Sequence, residues 1–117
     1  MSEQTPYIII TTTVDSQDAV QAITDALLLT HLAACVQTTP IQSTFWWQGR
    51  LERASEFRLQ AKAPEANGES IMAAIEAVHP YEVPEIIITP ILDGHPAYLE
   101  WIDGETHPPA NEKPRPA

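Results

Sequence analysis

Four glycines and one cysteine in 117 residues are the scarcities that narrow this sequence first. With Cys35 alone, no disulfide can close within the chain, and the paired-cysteine zinc sites are excluded. His31, His79, His95 and His107 stand in neither H-x-x-x-H nor H-E-x-x-H spacing. So few glycines leave no phosphate-cradling loop, and there is no G-x-S-x-G elbow. Catalysis is therefore not expected. No apolar run approaches the roughly 18 residues of a membrane span, and "MSEQTP" has neither the basic nor the apolar stretch of an export signal. Basic residues are short as well: 6 against 16 acidic ones, for a formal net charge of −10. An acidic surface repels phosphate backbones and anionic lipid, so neither nucleic acid nor a membrane is expected as a partner. A cytoplasmic location is the expectation.

What is present has a clear order. "YIIITTTV" (Tyr7–Val14) is short and β-branched, which predicts a strand covered on both faces. Asp15 and Ser16 offer oxygens for a helix N-cap, and Ala19, Ile23, Ala26, Leu27 and Thr30 follow the 3.6 period to about His31. "LAACVQTT" returns to strand character, running to "STFWWQG", where Gly49 suits a turn with positive φ. Phe57, Leu59 and Ala61 then alternate with Arg58, Gln60 and Lys62, as in a strand with one buried face. After the break "PEANGE", Ile71, Met72, Ile75 and Val78 mark a second helix. "IIITPIL" reads as a strand and "AYLEWI" as a closing helix. The order β-α-β-β-α-β is the α+β, ferredoxin-like arrangement. A single domain over residues 1–103 is expected, with a proline-rich tail over 104–117 lying outside the packed core.

Trp46 and Trp47 are neighbours in one strand, so their rings point to opposite faces and only one can meet the helices of a two-layer fold. The strand is also long for so small a domain. A hairpin extending beyond its own sheet, with bulky rings on both sides, predicts pairing with further copies of the chain.

The other unusual stretch is "HPYEVPE" (His79–Glu85). Pro80 and Pro84 disfavour helix at the residues before them, which explains both as a helix stop. They leave His79, Glu82 and Glu85 unexplained. An imidazole beside carboxylates can take a divalent ion such as Cu(II), with Cys35 or a second subunit completing the shell. The weaker alternative is a general base oriented by Glu82 or Glu85. Cys35, after two alanines, reads first as a small buried apolar residue. His31 reads as a helix terminus, and His95 and His107 as solvated.

"LAACVQ" (32–37), "FWWQGRLE" (45–52), the alternating strand ending at Lys62, "HPYEVPEIIITPI" (79–91) and "YLEWI" (98–102) together resemble, in order and spacing, the CutA divalent-cation tolerance proteins. The resemblance implies a ferredoxin-like fold related to the PII signalling proteins, and a homotrimer in which long hairpins pair between subunits. It also implies a role in tolerance of divalent cations, copper above all, with metal bound near the subunit clefts. Carried over by position, His79 falls in the H-P-Y segment and Cys35 in the A-A-C segment, with Glu82 as a helping carboxylate. Glu56 and Lys62 fall on polar positions of the third strand. Three departures stand out. Thr11-Thr12 occupies the place where some members carry a copper-binding cysteine, Ala63 follows Lys62 where threonine is common, and Phe45 stands where tyrosine is common. A hydroxyl in place of a thiolate removes a soft ligand for copper. The alternatives are a PII-like trimer whose Lys62 and Arg58 meet an anionic small molecule, and a structural trimer supporting a partner protein.

Overall fold

The computed structural model describes residues 6–107. The elements in order are β1 (Tyr7–Val14), α1 (Gln17–Leu28), β2 (Cys35–Trp47), β3 (Arg50–Pro64), α2 (Gly68–Val78), β4 (Ile86–Pro90) and α3 (Pro96–Thr106), with a single 3-10 turn before α2. The sheet order is β2-β3-β1-β4, and every neighbouring pair is antiparallel. This is the expected ferredoxin-like arrangement with one added helix.

The period-2 alternation of the strands produces the core directly. Ile8, Ile10 and Val14 of β1 and Leu59, Ala61 and Ala63 of β3 turn one face of the sheet toward Ala19, Val20, Ile23 and Leu27 of α1 and Ile71 and Ile75 of α2. Gly68 lets the start of α2 sit close to this face, where an added Cβ would lie 3.3 Å from Ile8 Cδ1. Ser16 caps α1, its Oγ accepting the Ala19 N–H at 3.1 Å.

The C-terminal end of α1 is closed by His31, which takes φ 60°. The N–H groups of His31 and Leu32 donate back to the carbonyls of Leu28 and Leu27, the Schellman closure usually built on glycine. The His31 Nδ1–H reaches the Glu105 carbonyl at 2.7 Å, so one imidazole ends α1 and occupies an orphan carbonyl of α3. Thr30 corrects the expected apolar stripe. It is exposed, and its hydroxyl donates to the Ala26 carbonyl. On α2, Ile71 and Ile75 are buried as expected, but Val78 is 40% exposed because the chain turns away immediately after it.

Helix α3 lies on the opposite face of the sheet. Its Ile102 is fully buried there, and the Lys62 ammonium sits 5.6 Å above the Tyr98 ring. The helix runs through Gly104–Thr106, past the boundary expected at residue 103, and buries Thr106. Residues 108–117 of the expected tail lie outside the described residues.

The hairpin behaves as the paired tryptophans require. Trp47-Gln48-Gly49-Arg50 is a two-residue turn with positive φ at both central residues, 51° and 81°, the twist that suits a right-handed ribbon. β1 accompanies β3 only as far as Val14 opposite Phe57. Among the described residues, β3 has a strand on its β2 side alone from Arg50 to Glu56. Trp46 and Leu51 pair across the ribbon and are 72% and 60% exposed. Pro40 is accommodated because β2 is an edge strand. The protruding hairpin draws the molecule out to 52 × 36 × 21 Å.

Candidate functional site

The turn His79–Glu85 folds back over the end of β1 and the middle of β3. His79 ends α2 in an extended conformation, φ −76° and ψ 135°, as a residue before proline must. Its ring then faces β1, with Nε2 3.0 Å from the Thr13 carbonyl and 3.2 Å from Thr12 Oγ1. On the other side, Nδ1 is 3.1 Å from the Tyr81 backbone nitrogen. An amide only donates, so Nδ1 must accept and the proton belongs on Nε2. Burial lowers the His79 pKa below its ordinary 6.5, against a weaker upward pull from the Thr13 carbonyl, Asp15 and Glu56.

The sign of the resulting pH effect follows from linkage. Between the lowered native value and the unfolded 6.5, the unfolded chain binds the extra proton. The stability contributed by His79 is therefore complete above pH 6.5 and is lost as pH falls through the native value. Urea titrations at pH 8 and pH 5 should show wild type losing more stability than His79→Gln over that interval. Equal losses would mean that the imidazole is not held neutral.

Tyr81 stacks edge-on to His79, with ring centroids 4.9 Å apart, and its hydroxyl donates to Glu56 Oε2 at 2.5 Å. Glu56 is 8% exposed. Burial, and then the Glu56 carboxylate, push the phenol well above its usual range, so it remains a donor. The link joins the turn to β3 across 25 residues of sequence, and no local spacing announces it. Thr13 likewise gave no signal in the sequence beyond a run of three threonines. Between the turn and the hairpin opens a cleft of about 790 Å³, bordered by Phe45, Trp47, Glu52, Tyr81, Glu82 and Glu85 among others.

Cys35 is elsewhere. Its strand partner is Lys62, which pairs in turn with Ile9, whereas His79 bonds to Thr13. Four residues along β1 separate the two places, roughly 13 Å. Cys35 is half-buried rather than in the core, because alternation turns Val36 inward and Cys35 toward α3. Its Sγ is 3.7 Å from the Tyr98 hydroxyl. Lys62 Nζ donates to Gln37 Oε1 at 2.8 Å, while Tyr98 and Trp101 stack at 5.5 Å. Arg58 is exposed on the same sheet face. Thus Glu82 borders the cleft, His79 is tied into β1, and Cys35 stands apart near Lys62. Among the described residues no three histidine, cysteine or carboxylate groups converge as a metal shell.

A ferredoxin-like sheet with an overlong β2–β3 hairpin and an H-P-Y turn closed onto it defines an α+β class of small proteins whose solved structures share this outline. A CutA1 from a psychrotrophic Shewanella superposes with a TM-score of 0.85 at 33% identity, covering 90% of this chain and 99% of that one. A periplasmic divalent cation tolerance protein CutA from Archaeoglobus fulgidus gives 0.84 at 35%, covering 86% and 99%. In sequence, a divalent-cation tolerance protein CutA of Thermus thermophilus is 36% identical over 95 residues, 80% of this chain and 92% of that protein. The chain spans 60% of a chloroplastic CutA 1 of rice, at 34% identity over 106 residues. The model of the family described as CutA1 divalent ion tolerance protein matches residues 8–105. The chain belongs to that family. Among the described residues no helix is long and apolar enough to cross a membrane.

Proposed function

We propose that this protein is a non-enzymatic, cytoplasmic, homotrimeric divalent-cation tolerance protein. In this reading the hairpin of one subunit adds to the sheet of the next, and divalent ions, copper among them, bind near the subunit clefts. The observation that carries the assembly is the hairpin. β3 offers backbone groups without a strand partner from Arg50 to Glu56, beside exposed Phe45, Trp46, Trp47 and Leu51. An edge of that length with apolar rings on both faces is a surface for another chain. The relatives' shared name supports the cation role. His79, Cys35 and Glu82 are the donors proposed for the ion, brought together only between subunits. His79 joins such a shell through Nδ1 by losing the Tyr81 N–H, or through Nε2 by losing the Thr13 carbonyl and, because its proton then sits on Nδ1, the Tyr81 N–H as well, which makes binding compete with those bonds.

Sedimentation equilibrium at micromolar concentration should return the mass of three chains, and the pair Trp46→Glu with Leu51→Glu should return one. A stable wild-type monomer would overturn the assembly. Calorimetry with Cu(II) and Zn(II) should show saturable binding that His79→Ala weakens. Unchanged binding in that variant would reject His79 as a ligand.

A further inference from the structure

We propose that the groove between α2 and β4 receives the β2–β3 hairpin of the next subunit, so that Leu51 and Trp46 of one copy close onto Ile8, Met72 and Ile88 of another. The inference rests on the trimeric reading above. It adds which edge of the sheet is paired and what the exposed apolar side chains of the hairpin enter.

The sheet has two outer edges, β2 and β4. β2 is a poor acceptor, because Pro40 within it has no N–H and interrupts a ladder on that side. β4 pairs with β1 alone among the described residues, and its one proline stands at the last position. The five residues I-I-I-T-P carry no charge, so none of the usual guards of a free edge is present.

Beside this edge lies a groove of about 450 Å³, floored by Ile8, Ile88 and Pro90 and walled by Gly68, Met72 and Ala73. At Gly68 the helix carries no side chain, and Ile8 and Ile88 come within 3.3 and 3.6 Å of where a Cβ would stand. The only charged residues bordering the groove are Glu65, Glu69 and Glu76, all exposed. The mixed, convergent polar groups that orient a small molecule are missing among the lining residues. An apolar groove with an acidic rim suits an apolar segment that carries positive charge.

The hairpin is such a segment. Phe57 packs against the core on the helix side of the sheet, so alternation places Ser55, Arg53 and Leu51 on that same face of β3. Trp46 lies directly opposite Leu51, and the pair is 72% and 60% exposed. Arg53 is one of only four basic residues among the described residues, the others being Arg50, Arg58 and Lys62. A closed ring turns the same sheet face of every subunit outward. The helix-side residues of one hairpin therefore lie on the helix side of the neighbouring sheet. With the row Arg50–Glu56 set against β4, Leu51 falls on the strand nearest the groove and Arg53 beside its glutamates.

The test is cross-linking of the full-length chain carrying Leu51→Cys, Met72→Cys and Cys35→Ser, using a short bis-maleimide. Covalent dimers and trimers are expected on a denaturing gel, whereas Leu51→Cys with Thr38→Cys on the β2 edge should remain a single chain. A protein that sediments as a trimer without the first cross-link would overturn the groove assignment and leave the trimer standing. A wild-type monomer would overturn both. Since Met72 is half-buried, a second measurement uses exposed residues only. Glu69→Lys with Glu76→Lys should raise the concentration at which the trimer dissociates at least tenfold at low salt, and Arg53→Glu should do likewise. Combining the three should recover most of the loss. Losses that add, or an unchanged dissociation concentration in every variant, would overturn the proposal.

Discussion

Replacing Ile75 by alanine is expected to lower the unfolding free energy by about 3 kcal/mol, whereas Val78→Ala, one turn further along α2, should cost less than about 1 kcal/mol. Both residues lie on the same apolar stripe by sequence, and only their surroundings differ. Ile75 is 1% exposed and packed into the cluster between the sheet and the two helices; Val78 is 40% exposed at the helix end. Truncating Ile75 removes three buried carbon groups, worth about 0.8 kcal/mol each in transfer, and leaves a cavity in a close-packed layer. The better helix propensity of alanine returns only about 0.4 kcal/mol. For a domain stabilised by about 5–15 kcal/mol the loss is large. It is read from urea unfolding at one fixed protein concentration, since any self-association makes apparent stability depend on concentration. Similar losses for the two variants would mean that α2 docks in another rotation.

Tyr81→Phe should cost about 2 kcal/mol, the range for a hydrogen bond to a charged acceptor whose partner is left largely out of water. The phenol donates to Glu56 Oε2 at 2.5 Å, and the carboxylate is 8% exposed. Phenylalanine keeps the ring and its edge contact with His79 but leaves the carboxylate without that donor. A double-mutant cycle isolates the bond. In a Glu56→Met background, Tyr81→Phe should cost less than about 0.5 kcal/mol. The same loss in both backgrounds would show that the hydroxyl contributes through something other than Glu56.

The sequence carried the fold further than the site, for reasons visible in particular residues. β1, the cap at Ser16, the alternation of Phe57, Leu59 and Ala61, and the turn at Gly49 are local patterns, and the structure follows them. The end of α1, at Leu28, was legible to within three residues of the expected His31, although the left-handed residue closing it is a histidine rather than a glycine. Thr30 and Val78 departed from their stripes because period states which way a residue points, not whether anything lies there. The placement of α3 on the far face could not be read, since Tyr98 meets Cys35 across 63 residues of sequence. Thr13, Glu56 and Tyr81 form the contacts of the turn for the same reason. They are joined by topology, and an ordered list of residues does not display it. The H-P-Y turn was recognised by resemblance, while the hydrogen bonds that commit both nitrogens of His79 came only with the fold.

The stretch of β3 from Arg50 to Glu56 has one more consequence. A bare row of amides and carbonyls accepts any extended segment in any register, which makes it indiscriminate as well as adhesive. Here the row is written R-L-E-R-A-S-E, with charges of alternating sign at Arg50, Glu52, Arg53 and Glu56. A charged segment pairs best in the register that sets opposite signs across from these residues, and each like-charge pairing weakens it. On the proposed assembly, the same seven residues would bias the register of the neighbour they accept. The hairpin carries an address along with its adhesive edge.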